Sequence, residues 1–199
     1  MSLKINIDVD NTINNFLESF LKLLNSVGIR DISYKDIKDY SLEKSTGIPH
    51  KTLETLFFRN NAFYQTLKPL ENCVETIKEL VECDNDVRFV TSIYYDVVQS
   101  RIDFIRKYFP FIDTDTQLII THDKESIYAD IIIEDCLNNL KNVNKDCHYI
   151  VFSQPWNVDT LPAIGYPVAT ECKDWYAVHS ILRCLGAMKP QKGAVHIYE

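Results

Sequence analysis

The sequence contains no hydrophobic run that approaches the roughly 20 apolar residues of a membrane-spanning helix. Its N-terminus also lacks the charged, apolar and cleavage regions of a secretion signal. Neither a Cys-x-x-Cys pair nor a histidine at zinc-ligand spacing accompanies the six cysteines, which are scattered from Cys73 to Cys184. Isolated thiols of this kind are typical of small buried hydrophobes in a reducing compartment. We therefore expect a cytoplasmic protein with no membrane partner.

Runs of basic residues are missing as well. The formal net charge is -7, and the lysines and arginines are dispersed along the chain. No continuous surface is therefore expected to displace counterions from DNA or RNA, which excludes polymeric nucleic acid as an expected partner. A small phosphorylated ligand is still compatible with this charge, because a bound cation and a few local donors outweigh an unfavourable overall field.

Glycine and proline are few, at 5 and 7 among 199 residues, whereas 46% of the residues are hydrophobic. This is the composition of an ordinary folded protein, and the length suits one sizeable domain with a small insertion. Apolar residues recur at helical spacing from Ile13 to Val27, and Gly28 follows them. This pattern predicts a first amphipathic helix that ends at the glycine.

Short β-rich runs alternate with helical patterns along most of the chain. Strands are predicted at residues 3–7, 87–90, 117–120, 131–133 and 148–152. Because helices separate these strands, we predict an α/β fold with a mainly parallel sheet that is covered on both faces. Residues 153–173 contain three prolines and one glycine and are predicted to form an irregular loop before a last helix over 174–185.

Residues 29–69 offer short helical pieces but no convincing strand. Ser33 stands three residues before Asp36, which predicts a capping box, and Pro49 suits a first helical turn. We predict a small helical cap over residues 29–69. The catalytic core would then comprise residues 1–28 and 70–187, with a C-terminal tail over 188–199.

Two carboxylates, Asp8 and Asp10, lie two residues apart where the first strand is expected to meet the first helix. Open α/β sheets carry out their chemistry at this position. One carboxylate of such a pair can attack phosphorus while the second handles the proton of the leaving group, and a divalent cation offsets their repulsion. The alternative is that Asp-x-Asp is only turn chemistry or an incidental metal site.

Further polar residues follow or flank other predicted strands: Thr91 with Ser92, Lys124, and Glu134 with Asp135. The carboxyl ends of parallel strands share one edge of the sheet, so these side chains are expected to meet. Singly, each has a structural alternative: a helix N-cap, an exposed lysine, and a favourable acidic first turn. Together with the aspartate pair they supply a nucleophile, an acid/base, phosphate donors, a cation and a metal ligand.

With these residues the chain resembles the haloacid dehalogenase superfamily of phosphohydrolases. The resemblance is carried by residues 5–12 (INIDVDNT), residues 89–92 (FVTS), Lys124 and residues 130–135 (DIIIED). It extends to the 5'(3')-deoxyribonucleotidase family, cytosolic type C, and covers most of the chain. The matching segments there are residues 121–124 (THDK), residues 63–70 (FYQTLKPL) and Asp174 with Trp175. The resemblance implies a three-layer, Rossmann-like core with a helical cap inserted after the first strand and helix.

The mechanism that we expect begins with attack of Asp8 on the substrate phosphorus, which gives an aspartyl-phosphate. Asp10 protonates the leaving alkoxide and then activates the water that hydrolyses the intermediate. Lys124 holds Asp8 and the phosphoryl oxygens together by charge. The hydroxyl of Thr91 or Ser92, with nearby backbone amides, binds the equatorial oxygens.

Magnesium is the cofactor that the resemblance implies. The side chains of Asp8 and Asp135 and the backbone carbonyl of Asp10 would bind it, and an all-oxygen site that keeps several waters suits Mg²⁺. The implied substrate, and hence the small-molecule partner, is a deoxyribonucleoside monophosphate. A homodimer is an open alternative to a monomer.

The cap is expected to close over the site and exclude water. By their position in the resemblance, the candidates for stacking on a nucleobase are Phe16, Phe63, Tyr64 and Tyr94. Core packing is the alternative for these aromatic residues, above all for Phe16, which belongs to the apolar stripe of the first helix. The histidines show no partner spacing and receive no predicted role.

Three positions depart from the pattern of the family. Asn11 stands where the family often has glycine, and Glu134 replaces the first aspartate of the usual acidic pair. The second change is expected to move a water ligand or a supporting hydrogen bond without removing the metal site. Residues 93–95 follow Ser92 where the nucleotidases commonly have a proline, in the part of the pocket expected to read the sugar or base.

Three other functions are alternatives to a deoxyribonucleotidase. The first keeps the catalytic residues and acts on a sugar phosphate or another small phosphomonoester. The second is a catalytically silent nucleotide-binding protein, which has no need of a nucleophile with its own acid/base group. The third, a phosphatase of nucleic-acid ends, conflicts with the acidic charge and the missing basic stripe.

Overall fold

The computed structural model of the protein describes residues 2–28, 31–140, 146–158 and 169–188. Its strands are β1 (Lys4–Ile7), β2 (Asp86–Thr91), β3 (Leu118–Ile120), β4 (Ile131–Glu134), β5 (His148–Phe152) and β6 (Ala169–Cys172). They form one sheet in the order β3-β2-β1-β4-β5-β6, and every adjacent pair is parallel. The predicted α/β fold with a mainly parallel sheet is confirmed.

The helices lie between the strands and in one longer connection. They are α1 (Phe16–Ser26), α2 (Leu42–Thr46), α3 (His50–Leu53), α4 (Asn61–Tyr64), α5 (Cys73–Glu82), α6 (Val98–Tyr108) and α7 (Trp175–Cys184). Four 3₁₀ turns are formed by Tyr34–Asp36, Tyr95–Val97, Lys124–Ser126 and Leu137–Leu140, and a π-helical turn by Glu54–Phe58. Within the described ranges, no helix has the length and apolar character needed to cross a membrane.

The centre of the sheet is apolar on both faces. Ile5 and Ile7 of β1 are fully buried, and all four residues of β4 are buried. A parallel strand covered on both faces shows a continuous apolar run instead of alternation, which explains why short isoleucine- and valine-rich segments predicted these strands. The amphipathic helix α1 packs its apolar stripe into the same core. Gly28, which follows it, has φ of +69°, a conformation that glycine adopts without cost.

The end of the sheet differs from the prediction of an irregular loop over residues 153–173. Residues 169–172 form the edge strand β6, which pairs with β5 from Tyr149↔Ala169 to Phe152↔Cys172. Only Cys172 of this strand is buried, so the segment lacks the apolar run that marks the central strands. The rest of the predicted loop around Pro162 and Pro167, and the predicted tail beyond Met188, lie outside the described residues.

The connection between α1 and α5 is built from helical turns. The predicted capping box is present, since the Asp36 carboxylate accepts a hydrogen bond from the Ser33 backbone N–H at 2.8 Å. Pro49 directly precedes α3, where its fixed φ suits the entry to a helix. The assignment of residues 29–69 as a separate cap stays a prediction.

Candidate active site

The central strand β1 brings Asp8 to the carboxyl edge of the sheet. Ile7 is in register with Phe89 on β2 and with Ile133 on β4, so the residues that follow all three strands meet at this edge. The backbone N–H of Asp8 donates to the Ile133 carbonyl at 2.9 Å, which extends the ladder by one bond. The chain runs from β1 to β2 and β3 on one side and then crosses back to β4 on the other side of β1, so this is the switch point at which open α/β sheets bind ligands.

Lys124 reaches this point from the turn that follows β3. Its Nζ donates to Oδ1 of Asp8 and, at 2.9 Å, to Oε2 of Glu134. The lysine side chain is only 11% exposed, which rules out the alternative of a solvated surface lysine. Thr12 Oγ1 donates to the second oxygen of Asp8 at 3.3 Å. The Asp8 carboxylate is therefore held from two directions.

Three buried carboxylates converge here. Oxygens of Asp8, Glu134 and Asp135 lie within 4.8 Å of one another. Burial raises the pKa of the Asp8 carboxyl to about 7, and the neighbouring Glu134 carboxylate adds to the rise. Burial and the Asp8 charge raise the pKa of Asp135 well above its ordinary value. Burial opposes the charge of Lys124, but Asp8 and Glu134 outweigh it and raise the lysine pKa.

This cluster fits a divalent cation. When ionised, three carboxylates and one ammonium group leave two negative charges, which such a cation balances. Oδ2 of Asp135 is buried and has no hydrogen-bond partner among the described residues, so a ligand atom is available. Both oxygens of Glu134, in contrast, accept hydrogen bonds, from Lys124 and from the Cys136 backbone N–H. Oxygen ligands of this type suit Mg²⁺ or another hard cation.

Asp10 lies beside this cluster, and its side chain is 22% exposed. Its Oδ1 accepts a hydrogen bond from Asn14 Nδ2 at 2.9 Å, and its Oδ2 accepts one from Arg101 Nη2. Sequence reasoning missed Arg101, which comes from α6. A signal existed, because an arginine there interrupts an apolar stripe of that helix.

The turn between Asp10 and α1 shows how asparagine takes a position where the resemblance leads us to expect glycine. Asn11 has φ of +61°, in the left-handed region that glycine prefers and that asparagine tolerates better than most residues. Its side-chain oxygen accepts a hydrogen bond from the Leu17 backbone N–H at 2.7 Å, which satisfies a donor in the first turn of α1. The Trp175 indole N–H donates to the Thr12 carbonyl at 2.7 Å and ties this turn to α7.

A polar cavity of about 230 Å³ opens above these groups. All six predicted catalytic, phosphate-binding and metal residues line it: Asp8, Asp10, Thr91, Ser92, Lys124 and Asp135. Its wall also includes residues to which the sequence analysis gave no role in catalysis or binding, namely Asn11, Tyr40, His122 and Asn139. His122 was given no predicted role, yet its Nδ1 lies 2.5 Å from the Ser92 hydroxyl.

An aromatic pocket of about 440 Å³ adjoins the polar cavity, and the two share wall residues such as Asp10 and Tyr40. Phe16, Tyr64 and Tyr94, three of the four predicted stacking residues, line this pocket. Phe63 does not line it. That side chain is 1% exposed and packs edge-on against Phe16 with 5.1 Å between ring centroids, so for Phe63 the core alternative describes its position.

Other aromatic side chains complete the pocket wall. Phe58 lies between two predicted residues, with its ring 6.2 Å from Phe16 and 6.4 Å from Tyr94, at interplanar angles of 25° and 11°. Tyr40 meets Trp156 edge-on at 5.8 Å. The Tyr94 hydroxyl donates to Glu54 at 2.7 Å, which holds that ring in the pocket wall. The aromatic pocket and the polar cavity therefore place aromatic surfaces beside the carboxylates and Lys124.

Comparison with known proteins assigns the chain to a family. Residues 2–173 match the model of the family described as 5' nucleotidase, deoxy (pyrimidine), cytosolic type C protein. The chain belongs to this family. It is 25% identical over 159 residues to the 5'(3')-deoxyribonucleotidase of Bacillus subtilis (strain 168), a match that covers 79% of this chain and 88% of that protein. The 5'(3')-deoxyribonucleotidase of Clostridium acetobutylicum is 26% identical over 144 residues, covering 69% and 76%.

Solved structures support the fold. A haloacid dehalogenase family hydrolase from Deinococcus radiodurans R1, solved with bound phosphate and sodium, aligns with a TM-score of 0.61 at 11% identity over 95% of this chain and 98% of that one. A haloacid dehalogenase-like protein from Agrobacterium tumefaciens aligns at 0.57 and 10% identity, over 93% and 100%. The deoxyribonucleotidase resemblance and the prediction of a phosphoric monoester hydrolase are confirmed, and these solved structures share the fold that the superfamily resemblance implies.

Proposed function

We propose that the protein removes phosphate from deoxyribonucleoside monophosphates through an aspartyl-phosphate on Asp8, with Mg²⁺ as cofactor. The observation that carries the proposal is the constellation at the carboxyl edge of the sheet: a lysine-bound Asp8, a separately held Asp10 and a polar cavity between them. The aromatic pocket next to this cavity supports a nucleoside as the leaving group. Curated relatives that carry the name 5'(3')-deoxyribonucleotidase support the same substrate class.

In the first step, a carboxylate oxygen of Asp8 attacks phosphorus as the bond to the nucleoside oxygen breaks. Asp10 gives its proton to that oxygen, so the nucleoside leaves as a neutral alcohol. Lys124 places positive charge against Asp8 and the phosphoryl oxygens, and the Thr91 or Ser92 hydroxyl donates to them. His122 contacts the Ser92 hydroxyl and so lies at the edge of the same phosphate site.

In the second step, Asp10 takes a proton from water, and the resulting hydroxide attacks the phosphorus of the aspartyl-phosphate. The bond between phosphorus and the Asp8 oxygen breaks, which restores the Asp8 carboxylate and releases phosphate. Asp10 has then regained the proton that it gave up, so the cycle is closed. Two separate carboxylates are needed because one is covalently occupied while the other moves protons.

The side chains of Asp8 and Asp135 and the backbone carbonyl of Asp10 would hold the cation. When bound, Mg²⁺ supplies positive charge that offsets the repulsion between these carboxylates and a phosphate dianion. Glu134 would support the site through hydrogen bonds instead of binding the cation directly, because its two oxygens already accept hydrogen bonds from Lys124 and Cys136. This arrangement supports the expectation that glutamate at this position moves a water ligand or a supporting hydrogen bond without removing the metal site.

Replacing Asp135 by asparagine tests the cation site. Asp135→Asn keeps the size of the side chain but removes one charge and one carboxylate oxygen from the cluster. We expect the Mg²⁺ concentration that gives half-maximal activity to rise by about 10- to 100-fold. A Mg²⁺ titration of phosphate release measures this. Asp115→Asn, at an 84% exposed carboxylate, is the matched control, and an unchanged titration for Asp135→Asn would remove this residue from the metal site.

A substrate panel tests the function itself. Phosphate release is measured from deoxyribonucleotides, ribonucleotides and sugar phosphates, with and without Mg²⁺, and Asp8→Asn serves as the blank. We expect Mg²⁺-dependent release that favours deoxyribonucleoside monophosphates, because the aromatic pocket offers stacking surfaces for a base. A preference for sugar phosphates would move the assignment to the alternative phosphatase, and no release from any compound would favour the silent nucleotide-binding protein.

The remaining expectations follow from the same proposal. The partner is a small nucleotide, and polymeric nucleic acid is not expected at a site in a chain with a net charge of -7. The family description includes the word cytosolic, which supports the proposed cytoplasmic location. A homodimer stays an open alternative to a monomer.

A further inference from the structure

Arg101 is a charged side chain on a buried helix face. Its neighbours at helical spacing, Val97, Phe104 and Ile105, are all buried, and the Arg101 side chain itself is 0% exposed. A buried guanidinium is costly unless it is paired, and replacing a buried ion pair by apolar residues is often neutral or stabilising. Stability of the fold therefore gives no reason for an arginine at this position, and the reason has to lie with its partner.

That partner is Asp10, the acid and base of the proposed reaction. Arg101 donates through Nη2 to one carboxylate oxygen, and Asn14 donates to the other at 2.9 Å. The two donors come from different parts of the fold, one from α6 and one from the turn before α1. Asn14 is fully buried, and its own side-chain oxygen accepts the Phe16 backbone N–H at 3.1 Å. Both oxygens of Asp10 are thus held by donors that cannot move freely.

Within the described part of the chain, the other nitrogen atoms of Arg101 donate to no second acceptor. Its Nε and Nη1 are buried and have no hydrogen-bond partner among the described residues. The guanidinium carbon lies 5.4 Å from the centre of the Tyr64 ring, which forms part of the wall around it. An arginine that only joined elements of the fold would be expected to spread its five N–H donors over several acceptors. Among the described residues, this guanidinium is directed at one carboxylate.

We propose that Arg101 is a positioning residue, which with Asn14 fixes the Asp10 carboxylate first against the leaving-group oxygen and then against the attacking water. The proposal rests on the proposed function of Asp8 and Asp10. Proton transfer requires hydrogen-bond geometry between the acid and the reacting oxygen, so a small displacement of Asp10 lowers the rate strongly. Arg101 is behind Asp10 and touches neither the polar cavity nor the aromatic pocket.

The test compares two leaving groups. A nucleoside alkoxide needs a proton to leave, whereas p-nitrophenolate leaves as an anion when phosphorus bonds to Asp8. For Arg101→Met we expect kcat on a deoxyribonucleoside monophosphate to fall by about 10²-fold, while KM stays within about threefold of the wild-type value. The rate at which p-nitrophenolate is released in the first turnover should fall by less than about fivefold. Arg101→Lys keeps the charge and should recover part of the loss. Arg106→Met, at a 58% exposed arginine of the same helix, should behave as wild type.

A second readout follows from the role of Asp10 in the water step. With p-nitrophenyl phosphate, Arg101→Met should release about one equivalent of p-nitrophenolate in a burst and then turn over slowly, with phosphate bound to the acid-quenched protein. Equal losses on both leaving groups without a burst, or activity like that of Arg106→Met, would overturn the proposal. If thermal denaturation shows that Arg101→Met does not fold, Arg101→Lys carries the same comparison, and the absence of a leaving-group effect there would overturn it.

Failure of the proposed substrate gives a different result. A wild-type protein that releases phosphate from another alkyl phosphomonoester but not from nucleotides would overturn the proposed substrate. The comparison of wild type with Arg101→Met on that ester and on p-nitrophenyl phosphate would still decide the role of Arg101.

Discussion

Asp8→Asn is expected to abolish phosphate release, with a loss of about 10⁴-fold or more in kcat. The amide cannot attack phosphorus, so the aspartyl-phosphate does not form, and the other residues are left with no first step to assist. Folding should be retained, because the change is nearly isosteric and removes one of three mutually repelling carboxylates. Steady-state phosphate release and a thermal denaturation curve measure the two parts of this prediction.

Asp115→Asn is the matched control, since it makes the same chemical change at an exposed carboxylate before β3, at the opposite end of that strand from the turn that carries Lys124. A second measurement sharpens the prediction. Wild-type protein quenched in acid during turnover of labelled substrate should carry phosphate, and Asp8→Asn should carry none. Retained Mg²⁺-dependent turnover in Asp8→Asn, or labelled phosphate on that variant, would remove Asp8 as the nucleophile.

The central part of the fold was predictable because its strands are buried on both faces. Residues 148–152 were predicted as a strand and form β5, and the prediction of residues 131–133 is one residue shorter than β4. Strand β6 was missed because an edge strand with one buried side chain has no apolar run. Its pairing depends on β5, from which residues 153–168 separate it along the chain. A local sequence pattern does not record a pairing partner at that distance.

The catalytic edge was predictable for a topological reason. Parallel strands place their carboxyl ends together, so residues at strand ends separated by up to 127 positions in sequence could be assigned to one site. Arg101 could not be assigned in this way, because it lies within helix α6 instead of at a strand end and reaches Asp10 across 91 residues of sequence. The signal in the sequence was a charged residue on an apolar stripe of α6. The sequence alone does not show that Asp10 is the partner of this charge.

The aromatic pocket shows that helical spacing in a sequence does not by itself predict which aromatic side chains line a pocket. The turn Glu54–Phe58 is π-helical, with a wider repeat than an α-helix. Phe57 is 1% exposed and packs against Phe20 in the core, whereas its neighbour Phe58 faces the pocket. Which of two adjacent phenylalanines lines the pocket depends on this local repeat. Phe63 and Tyr64 are a second adjacent pair of this kind, since Phe63 lies in the core and Tyr64 lines the pocket wall.

Lys124→Met is expected to have the second largest effect, on stability and on activity together. The lysine ammonium group contacts both Asp8 and Glu134, and its removal leaves these buried carboxylates without that positive charge. Breaking a buried ion pair on one side costs about 3–5 kcal/mol in the free energy of unfolding. Loss of a donor to the phosphoryl oxygens should lower kcat by a further factor of about 10² to 10³. Denaturant unfolding in EDTA and phosphate release in saturating Mg²⁺ measure these effects separately.

The double variant Lys124→Met/Glu134→Gln separates the structural role of the lysine from its chemical role. It removes one positive and one negative charge, so the buried cluster keeps the net charge that it has in the wild type, and the amide oxygen introduced by Glu134→Gln can still accept the Cys136 backbone N–H. We therefore expect most of the lost stability to return while kcat stays low, because no ammonium group faces the phosphate. Recovery of activity along with stability would show that Lys124 acts only as a structural counter-ion and takes no part in binding the phosphoryl group.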